Sequence, residues 1–308
     1  MEFLTRRGLR ITCCLIVLQT QVALCNDLIA KAESNSSSSV RVMSFNVRFG
    51  KADDGPNHWD LRKDLVIKTV REFDPDILGT QEMMEFQAEF FRQHLPKLAY
   101  HGTSRIPADK QQEQCAILYR KSRFEEVDAG HFWLSNSPDQ PGSISWDSSL
   151  PRMVSWVKLR DKQDSRDEFF VFNTHFDNVG QEARMQYAAV LRRRILSLAD
   201  GARVIVTGDF NSAEDSIAHR VLLFGTKQLS LSDTFQAVRT KRNPDGESTS
   251  SRWNGNRKGG RIDWILCSEH WKVLDAAIDR SHDGGRYPSD HYPVTAVVTF
   301  AAEESDAQ

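Results

Sequence analysis

The sequence contains little cysteine, and this scarcity narrows the kinds of protein it can encode. Five cysteines occur in 308 residues, and three of them fall within the first 25. Cys115 and Cys267 each lie in an apolar run, which favours buried thiols over a disulfide. No cysteine–histidine spacing typical of zinc ligands occurs. Neither a disulfide framework nor a zinc centre of this kind is therefore expected.

The sequence also lacks an apolar segment long enough to span a membrane readily. The apolar run Ile11–Leu24 is short, is interrupted by polar residues and follows three arginines. This pattern is typical of a secretory signal peptide, with an uncleaved anchor as the alternative. We therefore expect residues 1–25 to be a signal peptide and residues 26–39 a flexible, serine-rich linker. The folded domain should occupy residues 40–301 of a secreted or periplasmic protein that keeps no stable membrane span.

An excess of positive charge is missing as well. The chain has 40 Lys and Arg against 42 Asp and Glu, and the net charge becomes −4 once residues 1–25 are removed. Proteins that hold long nucleic acids through phosphate contacts are usually basic, so a nucleic-acid substrate is not favoured. The triplet Arg192–Arg194 lies in an amphipathic pattern and is interpreted as a solvated helix face. The glycine-rich segment Arg252–Arg261 is a local basic patch directly before a predicted strand.

Strand-like and helix-like segments alternate along the rest of the chain without a repeat. Apolar spacing predicts helices over Arg62–Phe73 and Gln181–Ala199, and Ile77–Gly79 is predicted to be a brief strand. No linker after residue 40 divides the chain. Two β-rich halves with helices outside indicate two packed sheets with helical flanks, an α/β fold.

The most informative segment is the β-branched run Val204–Thr207, which stops at Gly208 before Asp209 and Asn211. Alternation along an extended backbone predicts that Asp209 and Asn211 point the same way. Ser289–His291 places a carboxylate beside an imidazole just before another apolar run. Polar pairs at the ends of buried strands indicate a functional site on the rim of a sheet.

Other predicted strands also end in polar residues. Each residue alone is ordinary, since an Asp at a strand end is usually a cap or turn former. Together they supply oxygen ligands and two imidazoles but no thiolate, a set that suits magnesium, calcium or manganese. The set comprises Asn46, Glu82, His175, Asp177, Asp209, Asn211, Asp263, Asp290 and His291.

Six segments follow one another in the order Met43–Asn46, Asp76–Glu82, Asn173–Asp177, Gly208–Asn211, Arg261–Ile265 and Ser289–Pro293. In this order they resemble the endonuclease/exonuclease/phosphatase superfamily, which has the deoxyribonuclease I-like fold. The resemblance covers residues 40–300 and implies a four-layer α-β-β-α sandwich, in which two packed mixed sheets are flanked by helices. It also implies divalent-metal-dependent hydrolysis of a phosphoester.

The resemblance implies a metal site with oxygen ligands. Glu82 resembles the family's metal carboxylate, and Asn46 and Asp290 lie in the metal or phosphate shell. The expected ion is Mg²⁺, with Mn²⁺ as an alternative.

The resemblance also assigns roles in catalysis. Asp209 resembles the residue that orients or deprotonates the attacking water, and Asn211 is its hydrogen-bonding neighbour. His291 resembles the imidazole that contacts the scissile phosphate, with Asp263 fixing its tautomer. His175 resembles a second phosphate-binding imidazole. In-line attack on phosphorus needs a positioned water and stabilisation of charge, and these residue types supply both.

The substrate is less well specified than the reaction. Ser143–Asp147 and Arg286–Pro293 resemble a secreted bacterial-type subgroup of uncertain substrate. We expect Arg152, Arg257 and Lys258 to contact a small phosphoester, first a phosphodiester, with a phosphomonoester or an extracellular nucleic acid as alternatives. A non-catalytic binding module of the same fold is a further alternative, although no motif residue is replaced. The oligomeric state is left unpredicted.

Overall fold

The computed structural model describes residues 39–163, 168–239, 241, 243 and 245–301. The predicted signal peptide, residues 1–25, and residues 26–38 of the predicted linker lie outside the described residues. Among the helices that are described, none combines the length and the apolar character needed to cross a membrane.

Two six-stranded mixed sheets form the centre of the fold. The first sheet has the order β11-β12-β1-β2-β4-β3, and the second has the order β5-β6-β7-β8-β10-β9. The strands are β1 (Ser39–Asn46), β2 (Ile77–Met83), β3 (Leu98–His101), β4 (Gln114–Arg120), β5 (Phe124–Trp133), β6 (Met153–Asp161), β7 (Glu168–His175), β8 (Arg203–Asp209), β9 (Leu231–Asp233), β10 (Asp263–Ser268), β11 (Trp271–Ile278) and β12 (Val294–Phe300).

Helices cover the outer face of each sheet. Helices α1 (Trp59–Phe73) and α2 (Glu85–His94) pack on the first sheet, where Val66, Phe91 and Phe45 share one apolar cluster. Helices α3 (Gln181–Ala199) and α4 (Ile217–Leu223) pack on the second sheet, and α5 (Thr234–Val238) follows β9. A third cluster lies between the sheets. The predicted four-layer sandwich is therefore confirmed.

The surface between the sheets changes from apolar to polar along the strands. Alternate residues of a strand share a face, so Val42, Ser44 and Asn46 follow one another on the inner face of β1. The same spacing gives Val171, Asn173 and His175 on β7, and Ile205, Thr207 and Asp209 on β8. The apolar core thus gives way to a buried polar layer and then to ionisable groups at one edge of the sandwich.

The predicted helix over Gln181–Ala199 is confirmed at both ends, whereas the helix predicted from Arg62 begins at Trp59. The interpretation of Arg192 as part of a solvated helix face is wrong. Arg192 is buried and donates to the carbonyls of Leu222 and Leu229, because α3 packs against the end of α4 and the segment that follows it. Cys115 and Cys267 are buried, free thiols, as predicted, and burial raises the pKa of each to about 12.

Candidate active site

Asn46 joins the two sheets at the polar edge of the sandwich. Its Nδ2 atom donates to Oε1 of Glu82 at 3.0 Å and to Oδ2 of Asp209 at 3.0 Å. Asn46 and Glu82 belong to the first sheet, and Asp209 belongs to the second. A single buried amide thus fixes the separation of two carboxylates that come from different sheets.

Glu82 reaches the site because its strand is irregular. The pairing of β2 with β4 shifts register between Thr80 and Met83, and Glu82 has a φ of 58°. A bulge of this kind re-aims a side chain that regular alternation would direct elsewhere. The backbone N–H of Phe49 donates to Oε2 of Glu82 at 2.7 Å and holds the carboxylate in place. The brief strand predicted over Ile77–Gly79 therefore extends to Met83 through this bulge.

Asp209 and Asn211 are linked by a turn rather than by strand alternation. Strand β8 ends at Asp209, and Asn211 has a φ of 46° in the left-handed region. The N–H of Asn211 donates to Oδ1 of Asp209 at 2.9 Å, and its Nδ2 approaches Nε2 of His175 at 3.0 Å. The alternation argument is therefore wrong for this pair, because an aspartate that accepts from the second following N–H forms a turn.

His291 and Asp263 form a close ion pair. Nδ1 of His291 lies 2.9 Å from Oδ2 of Asp263 and 3.8 Å from Oδ2 of Asp209. Burial by itself would lower the pKa of His291, but the carboxylates of Asp263 and Asp209 raise it well above its ordinary value. His291 is therefore an imidazolium whose Nδ1 is engaged, so Nε2 is the ring nitrogen open to a substrate.

His175, unlike His291, is uncharged. Burial, reinforced by the positive charges of Arg152 and His291, lowers the pKa of His175 well below its ordinary value. The imidazole is neutral, and its Nε2 accepts from the Asn211 amide and lies 3.5 Å from Oδ2 of Asp209. The two predicted imidazoles are thus both in the cluster, one as a proton donor and the other as an acceptor.

The cluster has the donor set of a divalent-cation site. Glu82, His175 and Asp209 form one group able to hold a metal ion, and Asp209, Asp263 and His291 form another, each with ligand atoms within 4.8 Å of one another. Burial and the nearby charge of Asp263 raise the pKa of Asp209 to about 7. Crowded, buried carboxylates with imidazoles and no thiolate fit a hard cation.

Asp290 lies beside these groups and belongs to neither of them. Its carboxylate accepts from the Ser289 hydroxyl at 3.2 Å and faces Nη1 of Arg48 at 3.6 Å. Burial raises the pKa of Asp290, and the charge of Glu82 adds to the effect. Asp290 is therefore close to the predicted metal carboxylate, and its negative charge interacts with both His291 and Arg48.

Arg152 is buried on the other side of His175. Its guanidinium lies 3.5 Å from Oδ2 of Asp177 and donates to Oδ1 of Asn178 at 3.1 Å. Arg152 lines a small cavity together with Glu82 and His175. A fixed positive charge thus stands next to Glu82 and His175, and its contact with a substrate stays a prediction.

Arg257 and Lys258 are in a different position. Arg257 is exposed and pairs with Asp245 at 3.9 Å, while Lys258 receives its contacts through its backbone from Asn256. Among the residues described, no contact joins either side chain to the carboxylate and imidazole cluster. The loop itself does reach the site, because the N–H groups of Ser251 and Arg252 donate to the Asp290 carbonyl.

A buried polar layer beneath the site was missed by the sequence argument. Gln81 donates to Ser44 at 3.1 Å and to Asn173 at 2.7 Å, and Thr207 donates to Asn173 at 3.0 Å. Three of these four residues stand two positions before a site residue on the same face of a strand, namely Ser44, Asn173 and Thr207. The two-residue spacing along the inner face of each strand was the signal in the sequence that could have identified this layer.

Arg62 was also missed. It is buried, and its Nη1 donates to the carbonyls of Val47 and Pro288 at 2.8 and 2.9 Å. Burial lowers the pKa of this guanidinium to about 10. Arg62 thereby ties the segment after Asn46 to the segment before Asp290, although its position in a helical pattern gave no sign of this.

Residues 43–291 match the endonuclease/exonuclease/phosphatase family, which confirms the resemblance carried by the six segments. A family member from Bacteroides thetaiotaomicron is 29% identical with a TM-score of 0.79, over 86% of this chain and 98% of that chain. A mannosyl-6-phosphatase from the same species is 30% identical with a TM-score of 0.77, over 85% of this chain and 100% of that chain. Rat nocturnin is 24% identical over 308 residues, which span 88% of this chain and 68% of nocturnin.

Proposed function

The chain belongs to the endonuclease/exonuclease/phosphatase family of phosphoester hydrolases, and we propose that it is an exported enzyme that uses a divalent cation to hydrolyse small phosphorylated substrates. The observation that carries this proposal is the junction at Asn46. Its amide holds Glu82 and Asp209 together at the edge where both imidazoles also lie.

We propose Mg²⁺ as the cation, with Mn²⁺ as an alternative. Glu82 and Asp209 offer oxygen ligands. Asp290 lies near enough to Glu82 for the two carboxylates to interact electrostatically. When bound, the cation would neutralise charge on the phosphoryl group and favour ionisation of a water molecule. The fit is supported by the raised pKa of Asp209, because a nearby cation would relieve the repulsion between buried carboxylates.

Hydrolysis joins the water oxygen to phosphorus and breaks the bond from phosphorus to the ester oxygen, which leaves and takes up a proton from solvent. Residues of the chain assist this step. Asp209, in its ionised form, orients the attacking water and takes a proton from it. The imidazolium of His291 donates to a phosphoryl oxygen, and Asp263 holds its ring and its charge. Neutral His175 and the amide of Asn211 complete the wall of the site next to Asp209.

Of the two ester classes, we propose the phosphomonoester ahead of the phosphodiester that the sequence favoured. A structure 30% identical to this chain, with a TM-score of 0.77, is that of a mannosyl-6-phosphatase. The buried charge of Arg152 beside His175 supports the same choice, because a monoester presents an additional anionic oxygen that needs a fixed cation. Sugar phosphates are therefore the first substrates to test.

Export is proposed from the sequence pattern of residues 1–25. An enzyme outside the cytoplasm meets phosphorylated molecules before uptake, and removing the phosphate would yield a neutral product.

A substrate panel tests the proposal. Mannose 6-phosphate, glycerol 3-phosphate, bis(p-nitrophenyl) phosphate, DNA and RNA would be compared at equal concentration with Mg²⁺. We expect the highest kcat/KM for mannose 6-phosphate, and we expect no hydrolysis of any substrate after chelation. Faster hydrolysis of the diester would favour the phosphodiester predicted from the sequence. Loss of activity in Asp209→Asn would show that the measured rate belongs to this site.

A further inference from the structure

A groove of about 740 Å³ opens beside the catalytic cluster, between the start of α3 and the segment from residue 211 to residue 220. We propose that this groove binds the leaving group of the substrate and that the leaving group is a neutral sugar, whose ring fills the groove as a three-carbon polyol does not. The inference rests on the proposed phosphoesterase function and adds the surface that binds the sugar carrying the phosphate.

The groove begins at a residue of the catalytic cluster. Asn211 forms part of its lining, and the same side chain approaches Nε2 of His175 and donates to the carbonyl of Phe176. A phosphate held between His175 and His291 would therefore have the groove next to it. A leaving group that extends from that phosphate along Asn211 would enter the groove directly.

The charges of the lining argue for a neutral ligand. The lining contains two cations, Arg184 and Arg220, and two anions, Glu182 and Asp215. Their charges balance, so a polyanion such as a nucleic acid strand gains no net attraction from this surface. Guanidinium and carboxylate groups in one lining instead offer both donors and acceptors to the hydroxyls of a ligand.

Apolar groups supply the rest of the groove. Ile217 is nearly half exposed at the start of α4 and lines the groove together with Met185. A sugar ring has an apolar C–H face as well as hydroxyls, so it matches a surface that combines charged pairs with isolated apolar side chains. The volume lies in the range of pockets that bind small molecules.

The cation at the wall of the groove is held in place. Nη1 of Arg184 donates to the carbonyl of Asp177 at 3.0 Å, and Asp177 itself accepts from the N–H groups of Val179 and Gly180. Arg184 therefore extends from α3 against a rigid turn. A preformed donor of this kind costs little ordering when a ligand binds.

Filling the groove without touching the cluster tests the inference. Ile217→Trp should obstruct the groove, and Leu274→Trp places the same ring at an exposed apolar site on β11 as the control. For each protein, kcat/KM would be measured with mannose 6-phosphate and with glycerol 3-phosphate, and thermal unfolding would be recorded. We expect Ile217→Trp to lose about tenfold with the sugar phosphate and less than about twofold with glycerol phosphate.

Direct binding of methyl α-mannoside, a sugar without phosphate, separates this inference from the proposed function. Saturation-transfer NMR should detect binding to the wild-type protein and to Leu274→Trp, and loss of the signal in Ile217→Trp. Binding with this pattern in a protein that hydrolyses no ester would support the groove and overturn the proposed function. Absence of binding, or equal loss of activity with both esters, would overturn the groove inference.

Discussion

The side chain of Asn46 donates a 3.0 Å hydrogen bond to the carboxylate of Asp209, although the two residues are 163 positions apart and lie on different sheets. The same amide donates to Glu82. Both carboxylates are therefore positioned by one group whose strand continues into the apolar core between the sheets. The geometry of the site depends on the packing of the two sheets.

Asn46→Ala should damage both activity and stability. Two buried or half-buried carboxylates would lose a donor, which costs about 1–3 kcal/mol of unfolding free energy when a buried polar group is left unpaired. We expect kcat to fall by roughly tenfold or more because Asp209 and Glu82 are no longer held at a fixed separation. Urea unfolding and steady-state kinetics check this, with exposed Asn136→Ala as the control. A stable variant with unchanged kcat would contradict it.

Asp209→Asn separates a catalytic role from a structural one. Turnover should fall on the order of 10²-fold or more, the usual scale for a general base. Burial and Asp263 raise the pKa of Asp209, so its ionised form costs folding free energy as pH rises from about 4 to about 7. The metal-free variant should consequently be at least as stable as the wild type at pH 8. A parallel loss of stability and activity would favour a structural role.

Activity should require a divalent cation bound through Glu82. Chelation should abolish hydrolysis, and Mg²⁺ or Mn²⁺ should restore it. Glu82→Gln should raise the cation concentration that gives half-maximal activity by about tenfold or more, because one charged ligand is lost. Glu89→Gln, at an exposed pair with Arg92, is the matched control. Full activity after exhaustive chelation would remove the cation from the mechanism.

Regular strands made much of this site predictable. The inner-face spacing places His175 and Asp209 at the end of their strands, and the register of β8 with β10 brings Asp263 opposite Asp209. What the sequence could not reveal are the irregular backbones. Glu82 reaches the cluster through a bulge that depends on tertiary contacts, and Asn211 reaches it through a left-handed turn closed by a hydrogen bond to Asp209.

The distant hydrogen-bond partners of buried arginines could not be predicted from a sequence pattern either. Arg62 lies on the first turn of a helix, and its importance arises from carbonyls 15 and 226 positions away. Arg192 looked like one residue of a solvated basic triplet, but the packing of α3 buries it against two carbonyls. Side-chain contacts of this kind follow from the fold and leave no periodicity in the sequence.

Acid should destabilise the protein through His131, far from the site residues in sequence. Burial, with the adjacent charge of His101, lowers the pKa of His131 from 6.5 to about 4, and the two rings stack at 4.5 Å. The unfolded chain then binds more protons between these values, so stability is full above pH 6.5 and falls as pH drops towards 4. We expect His131 to contribute a loss of about 2 kcal/mol between pH 7 and pH 5.

The measurement is urea unfolding at pH 7 and at pH 5 for the wild type and for His131→Gln. The variant cannot titrate at this position, so its loss of stability over the same interval should be smaller by about 2 kcal/mol. Identical pH dependence in the two proteins would show that His131 is not the titrating group.

Arg152, rather than the exposed pair Arg257 and Lys258, should dominate the binding of the phosphate. Arg152 is 5% exposed and stands next to His175, so its charge acts with little screening by solvent. Arg257 faces Asp245 at 3.9 Å and is open to water. We expect Arg152→Gln to raise KM for mannose 6-phosphate by about tenfold or more, and the double alanine variant of the loop by less than about threefold.

Inhibition by inorganic phosphate provides the readout that a purely structural role would not change. Its inhibition constant should rise in parallel with KM in Arg152→Gln and should recover only in part in Arg152→Lys, because an ammonium restores the charge without the planar fork of donors. Since Arg152 also contacts Asp177, thermal unfolding must be compared at the same pH. If the loop variant weakens phosphate inhibition more than Arg152→Gln does, the loop is the phosphate contact and Arg152 serves only to hold Asp177.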